Sequence, residues 1–362
     1  MENNKIRVAI THGDTNGVGY EMILKAFEDP TMLELCTPII YGSPKVAAYH
    51  CKALDLQTQF SIINQVSEAR HDRVNLLALF DEEIKVDIGH PSPEADEAAS
   101  RAVQRALSDY EQGAYDVLVC APSNGKEADG KGLTLLTSEN LNIAFVTTQL
   151  AIKDVAEAIT KPVVAEKLKI LHTALKRDLR ISNPRIAVLA LNPKDANGEL
   201  TGEEEKDCIA PAIDEMEQQG IQAFGPYQAD EFFSTGAYLR FDAVLAMYYE
   251  QGMTPFKTIA REDGVRLTVG LDLVKASTLC TPDYTNAGKG VADPAPLRHA
   301  IYQAIDVWRH RREYDAPMGN PLPKLYHEKR DDSEKVRFAV PKQRREDKPQ
   351  SDSEAAELDK KQ

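Results

Sequence analysis

Pro93-Glu-Ala-Asp-Glu-Ala-Ala-Ser-Arg-Ala-Val-Gln-Arg-Ala-Leu-Ser-Asp-Tyr110, followed beyond Gly113 by Asp116-Val-Leu-Val-Cys120, decides the fold class. Ala95, Ala98, Ala99, Ala102, Val103, Ala106, Leu107 and Tyr110 recur at i, i+3, i+4 and i+7, which predicts a helix with one apolar face that stops at Gly113. The short apolar run Asp116–Cys120 predicts a buried strand. A helix that must bury a face and leads into a buried strand is one unit of an open sheet covered by helices.

The same alternation extends in both directions. Toward the N-terminus, Lys5–Ile10 predicts a strand, Gly13–Gly19 a glycine-rich turn and Tyr20–Phe27 a helix. Pro38–Tyr41 and Val74–Phe80 predict strands, with a helix over Lys45–Leu54 between them. Beyond a polar, glycine-punctuated stretch at Ser123–Thr137, strands are expected at Ile143–Thr148, Arg185–Leu191, Asp242–Met247 and Val265–Val269. Helices are expected over Pro162–Leu179, after a capping box Thr201-Gly-Glu-Glu204, and over Pro296–Arg311. No internal repeat of fixed period is present. Past about Pro323 the chain is rich in both charges and poor in large apolar side chains, which predicts a disordered tail over 323–362.

A chain of 362 residues with 42% hydrophobic and 28% charged side chains has the composition of a globular protein, and it contains no apolar run long enough for a membrane span. The formal charge of −14 opposes binding to phosphate backbones and anionic lipid, so neither nucleic acid nor membrane is an expected partner. The N-terminus lacks the pattern of a secretory leader, and five scattered cysteines without a CxxC pair suit a reducing compartment. A cytoplasmic location is expected.

Three segments can carry chemistry. Thr11-His-Gly-Asp-Thr-Asn-Gly-Val-Gly19 can present backbone N–H groups to an anion, although it matches neither a dinucleotide fingerprint nor a phosphate loop; tight chain reversal explains its glycines equally well. Leu191–Gly202 and Ala246–Lys257 are polar segments just past apolar strands. Open α/β sheets bind ligands outside the carboxyl ends of strands, so both segments are expected at the rim of one site. Among eight histidines none pairs with another at metal-ligand spacing; His12 at the first strand's end stands out, and His172 reads as a boundary histidine of its helix.

Along these segments the chain resembles the 4-hydroxythreonine-4-phosphate dehydrogenase family of vitamin B6 biosynthesis. The resemblance is collinear over about residues 5–310 through Ile10–Gly19, Thr147-Thr-Gln-Leu150, Asp154–Ile159, Leu191-Asn-Pro193, Gly225-Pro226 with Ala229-Asp230, Asp242–Gly252, Leu267–Leu271 and Ala287–Asp293. It implies a two-domain α/β/α homodimer over residues 1–322, related to the isocitrate and isopropylmalate dehydrogenases, with the site in the interdomain cleft. It also implies oxidation of a secondary alcohol by NAD or NADP, followed by decarboxylation.

The family holds a divalent metal with three histidines, and at those positions this chain has Gln149, Lys194 and Tyr249. An amide, an ammonium and a phenol do not form a transition-metal cage, so no metal is expected there. The family's Gly-His-Thr-Glu substrate segment has no counterpart between Ala121 and Thr147, its Asn before the Ile-Thr-Leu-Gly stretch is Arg266, and an Arg is Lys275. The expected catalytic groups are Lys194, Asp230 and Glu250, the expected substrate contacts Lys257, Arg266 and Lys275, and the expected cofactor contact Asn192. Three readings stay open. The family reaction runs with Lys194 as a fixed cation, or the fold takes another small anionic or phosphorylated ligand, or the protein is a non-catalytic scaffold. In a variant of the second, Asp230, Glu250 and Asp195 hold Mg²⁺ or Mn²⁺ through oxygen.

Overall fold

Ser92 caps the helix that the alanine spacing predicts: its Oγ accepts the Ala95 N–H at 3.2 Å, and Pro93 fits the first turn. Ala95, Ala98, Ala99, Ala102 and Ala106 are buried along its inner face. In this computed structural model residues 5–56, 60–80, 84–124, 132–194, 198, 202–260 and 263–319 are described. The strands are β1 (Ile6–Thr11), β2 (Cys36–Gly42), β3 (Phe60–Ile63), β4 (Val74–Ala78), β5 (Val117–Cys120) and β6 (Leu133–Thr137). They continue with β7 (Asn142–Phe145), β8 (Arg185–Leu189), β9 (Gln222–Tyr227), β10 (Ala243–Ala246), β11 (Val265–Val269) and β12 (Val274–Thr278). The helices are α1 (Gly19–Ala26), α2 (Thr31–Leu35), α3 (Pro44–Ala53), α4 (Pro93–Glu111) and α5 (Ile152–Ala158). After them come α6 (Lys161–Arg177), α7 (Ala210–Gln218), α8 (Ala229–Ser234), α9 (Tyr249–Ile259) and α10 (Ala295–Gly319).

All twelve strands join one sheet in the order β3-β4-β2-β1-β5-β12-β11-β6-β7-β10-β8-β9. Two parallel halves, β3 to β12 and β7 to β9, flank an antiparallel middle in which β11 opposes both β12 and β6, and β6 opposes β7. Three reversals in succession make the two halves run in opposite directions. The middle carries a polar stripe. Thr134, Thr268 and Lys275 lie side by side across β6, β11 and β12, and Arg266 pairs with Ser277 one step further along. Cross-strand partners and residues two apart share a face, so these groups point the same way. Lys275, Thr268, Ser277 and Thr134 are all buried.

Helices cover both faces of the sheet. One large core runs from Val8 and Ile10 through Val117 and Leu135 to Leu168, Ile186 and Ile301, and smaller clusters sit under α4 and α9. Arg311 locks α10 down. Its guanidinium pairs with Asp178 at 2.7 and 2.8 Å and also donates to the Leu271 and Asp272 carbonyls, so the buried charge is fully engaged. No helix among the described residues is long and apolar enough to cross a membrane.

Several expectations change. Ser123–Thr137, read as a polar, glycine-punctuated stretch, ends in strand β6, and the polar segment Ala246–Lys257 is largely helix α9. Strands β3, β9 and β12 were not anticipated, and α10 continues to Gly319. The capping box at 201–204 starts at Thr201, outside the described residues; the Glu204 carboxylate accepts from Asn192 Nδ2 at 2.9 Å, and a wide π-type turn Glu205–Ile209 leads into α7. Thr201, Asp195 and the tail 323–362 lie outside the described residues, and residues up to Gly319 form one unit.

Candidate functional site

The sheet has two places where successive connections leave in opposite directions, between β1 and β5 and between β8 and β10. Crevices for ligands open at such points. The first is filled by its own chain. After β1, the Asp14 N–H donates to the Pro122 carbonyl at 2.8 Å, the Gly17 N–H to the Asp14 carbonyl at 3.2 Å and the Val18 N–H to the Pro282 carbonyl at 2.8 Å. The Asp14 carboxylate accepts from the Asn16 N–H at 2.8 Å and the Tyr284 hydroxyl at 2.6 Å. These amides are spent inside the protein, so the turn is a structural reversal and not an anion cradle. Gly13 has φ +72°, and a Cβ there would lie 2.2 Å from the Pro122 carbonyl oxygen.

His12 sits in this plug. Its ring stacks on Tyr20 at 5.3 Å, and Tyr20 stacks on His50 at 5.1 Å. His50 donates through Nε2 to the Thr15 carbonyl at 2.8 Å. Burial pushes the His12 imidazole down to about 4 and lowers His50 as well. Neither ring faces an open crevice. His172 is a half-buried boundary residue of α6, lowered by burial and by Lys176.

The second crevice is open. Between the ends of β8 and β10 lies a cleft of about 530 Å³, lined by Leu191, Asn192 and Pro193 after β8, and by Tyr248, Glu250, Gln251, Thr254 and Pro255 after β10. Gln228, Ala229, Asp230 and Phe233 close its third side. The two strand-end segments singled out in the sequence therefore do form one rim. Gln251, which sequence reasoning passed over, ties that rim together: its Oε1 accepts the Met247 N–H at 2.8 Å and its Nε2 donates to the Ala190 carbonyl at 2.6 Å. Asn192 is held just as firmly, with its N–H donating to Glu205 at 2.6 Å and its amide donating to Glu204 and Glu205. Gln228, also unanticipated, has a buried Nε2 with no hydrogen-bond partner among the described residues.

Of the expected catalytic groups, Asp230 and Glu250 line the cleft, while Lys194 stands just past Pro193, exposed, with Nζ 3.8 Å from Glu231. The expected substrate contacts lie on the polar stripe and beside it. Gly252 allows close approach of α9 to β7, since a Cβ there would lie 2.6 Å from the Phe145 ring. That approach sets Tyr249 against Phe145 at 5.5 Å and lets the Tyr249 hydroxyl accept from Arg266 Nη2 at 3.4 Å. Tyr249, between the cleft residues Tyr248 and Glu250 in the chain, thus touches Arg266 of the stripe. Lys257 is exposed near the far end of α9 and faces Cys280 beyond β12, where it opposes the upward push of burial on the thiol.

A histidine-held metal does not fit this arrangement. Gln149 is exposed after β7, Lys194 pairs with Glu231, and Tyr249 is turned to Arg266. Among the described residues no group of three or more His, Cys, Asp or Glu side chains can hold a metal ion. Asp195 lies outside the described residues. A planar aromatic ligand part does fit the cleft, which offers the apolar Leu191, Phe233, Tyr248 and Pro255 beside the polar Asn192 and Gln228.

Comparison with known proteins agrees with this fold. The family model described as pyridoxal phosphate biosynthetic protein PdxA matches residues 34–134 and 125–304. A 4-hydroxythreonine-4-phosphate dehydrogenase of Bacteroides thetaiotaomicron is 50% identical over 358 residues, covering 93% of this chain and 98% of its own. The crystal structure of a 4-hydroxythreonine-4-phosphate dehydrogenase from Burkholderia phymatum is 28% identical with a TM-score of 0.67, covering 84% of this chain and 99% of that one. The 4-hydroxythreonine-4-phosphate dehydrogenase of Klebsiella pneumoniae, 24% identical with a TM-score of 0.70 over 85% of this chain and 99% of its own, shows the same fold.

Proposed function

The chain belongs to the family of the pyridoxal phosphate biosynthetic protein PdxA, and from that membership we propose that it is an NAD(P)-dependent dehydrogenase of a phosphorylated hydroxy acid that works without a histidine-bound metal. The observation that carries this reading is the open cleft between the ends of β8 and β10, with Asp230 and Glu250 in its lining and Lys194 at its rim. The relative that is 50% identical supports 4-phosphohydroxy-L-threonine as the substrate that is oxidised, and the decarboxylation that follows is what the family resemblance implies.

A bound nicotinamide would supply the hydride acceptor. Asn192, Leu191 and Tyr248 would hold it in the cleft. Glu250 takes the proton of the substrate hydroxyl, and the Lys194 ammonium offsets the negative charge that develops on that oxygen. A fixed cation has to do here what a Lewis acid does elsewhere, so the rate is expected to be modest. Arg266 and Lys275 on the stripe, with Lys257 beside it, hold the phosphate end. Residues 1–322 are read as two domains, working as a cytoplasmic homodimer.

The test is nicotinamide reduction by the purified protein with NAD⁺ or NADP⁺ and 4-phosphohydroxy-L-threonine, before and after treatment with a chelator. Turnover that survives chelation and disappears in Glu250→Gln is the expected result. Turnover that needs added metal would overturn the metal-free reading, and none under any condition would overturn the dehydrogenase. In that case ligand binding without turnover is favoured by the joint replacement of the metal positions by Gln149, Lys194 and Tyr249. The protein would then be a binder of another anionic ligand or a scaffold.

A further inference from the structure

Two arginines of this protein are used in opposite ways. Arg311 spends its charge inside the fold: Nε and Nη2 meet the two oxygens of Asp178 at 2.7 and 2.8 Å, and Nη1 donates to two carbonyls. Arg266 does not. It is half-buried on β11, yet no carboxylate among the described residues pairs with it, and its buried Nε has no hydrogen-bond partner among them. The partner that it has is the Tyr249 hydroxyl, which accepts from Nη2 at 3.4 Å. A guanidinium drawn partly out of water without a counter-charge is costly, and an anion that meets it offsets that cost.

Tyr249 is itself held firmly. It opens α9, and its ring packs on the buried Phe145 with centroids 5.5 Å apart. Gly252 makes that contact possible, since a Cβ there would lie 2.6 Å from the Phe145 ring. A phenol fixed by its ring can fix the plane of a guanidinium bonded to its hydroxyl. At 3.4 Å the bond is long, so it orients the group without competing with a charged acceptor, which bonds at shorter range and about twice as strongly. On the same face of the sheet stand Ser277, the cross-strand partner of Arg266, and Lys275 two residues from it. We infer that Tyr249 is a positioning residue: it holds the Arg266 guanidinium in the plane in which it meets the phosphate of the substrate. This rests on the assignment of Arg266 to the phosphate end under the dehydrogenase reading, and it adds a residue that acts through Arg266 and not on the phosphate itself.

The experiment is calorimetric titration of the full chain with inorganic phosphate, for the wild type, Tyr249→Phe, Arg266→Lys and the double variant. Phenylalanine keeps the ring on Phe145 and removes only the hydroxyl. The affinity of Tyr249→Phe for phosphate is expected to fall about fivefold, and that of Arg266→Lys, which keeps the charge but loses the planar fork, about tenfold. In the double variant the affinity should stay within about twofold of Arg266→Lys, because the phenol has no guanidinium left to hold. A merely structural role of the hydroxyl would weaken binding in both backgrounds. Undiminished binding by Tyr249→Phe would therefore overturn the inference, and so would a fivefold loss that persists in the Arg266→Lys background. In either case a loss in Arg266→Lys alone leaves the phosphate assignment standing. Wild-type binding that Arg266→Lys does not weaken, or no binding at all, would remove that assignment and the inference together.

Discussion

The crevice at β1 and β5 and the crevice at β8 and β10 are the same topological feature built twice in one sheet, and they are used in opposite ways. The first is packed shut by Gly13, Asp14, Pro122, Pro282 and Tyr284, with two neutral histidines stacked on Tyr20 beneath it. The second is a cleft of about 530 Å³ whose wall is held by side chains, Gln251 and Asn192, instead of by the chain itself. A switch point alone does not make a site. What matters is whether the loop beyond the strand spends its backbone amides on its own neighbours or leaves polar groups facing a space.

The largest expected effect falls on the closed side. Gly13→Ala puts a Cβ into the left-handed region and against the Pro122 carbonyl oxygen, and should cost about 3 kcal/mol or more in urea unfolding. A variant as stable as the wild type would mean that the plug is loose and the contrast with the open cleft is false.

Next comes a pH effect on the same plug. His12 is held near 4 in the folded protein against an ordinary value near 6.5, so the unfolded chain binds the proton more readily. Stability from this group is complete above about pH 6.5 and is lost as pH falls from there to about 4, a change on the order of 3 kcal/mol. His50 acts in the same direction. His12→Phe should flatten that part of the stability curve; an unchanged slope would show that the imidazole is not isolated from water.

A smaller effect is expected on the open side. Gln251→Ala frees the Ala190 carbonyl and the Met247 N–H, which should cost about 1 to 2 kcal/mol and weaken ligand binding in the cleft. Loss of stability without loss of binding would show that the rim does not depend on this tie. Smallest in stability is Lys194→Ala. Its pair with Glu231 is 3.8 Å long between exposed side chains, so unfolding should change by less than about 0.5 kcal/mol. Turnover, in contrast, should fall at least about tenfold, and equal turnover would remove Lys194 from the reaction.

Much of this was legible in the sequence. The alanine spacing of α4 and the buried strand after it fixed the fold class, because a helix face and a short apolar run depend on local periodicity. The strand-end segments with Asn192 and Glu250 could be assigned to one rim by the general rule for open sheets, whereas Asp230 was named only through the family resemblance. Strand β6 was hidden, because Leu133–Thr137 follows a polar, glycine-rich stretch and its partner β11 lies more than a hundred residues further along. Lys275 and Arg266 were named as substrate contacts, but nothing local says that they share a buried stripe with Thr134 and Thr268. Gln228 and Gln251 carry no sequence signal at all. Their meaning comes from what they do or do not bond to.

The sequence by itself determined most of the element types, the sheet-and-helix class and the presence of Gln149, Lys194 and Tyr249 where the family has its metal-binding histidines. Only the tertiary structure decided which of two equivalent crevices is closed, that Tyr249 meets Arg266, and that the charged residues described in the cleft lining are acidic where those of the stripe are basic. The reason is physical. Periodicity and side-chain chemistry are local properties of the chain, whereas the closure of a crevice and the sign of its field are sums over groups that only the folded sheet brings together.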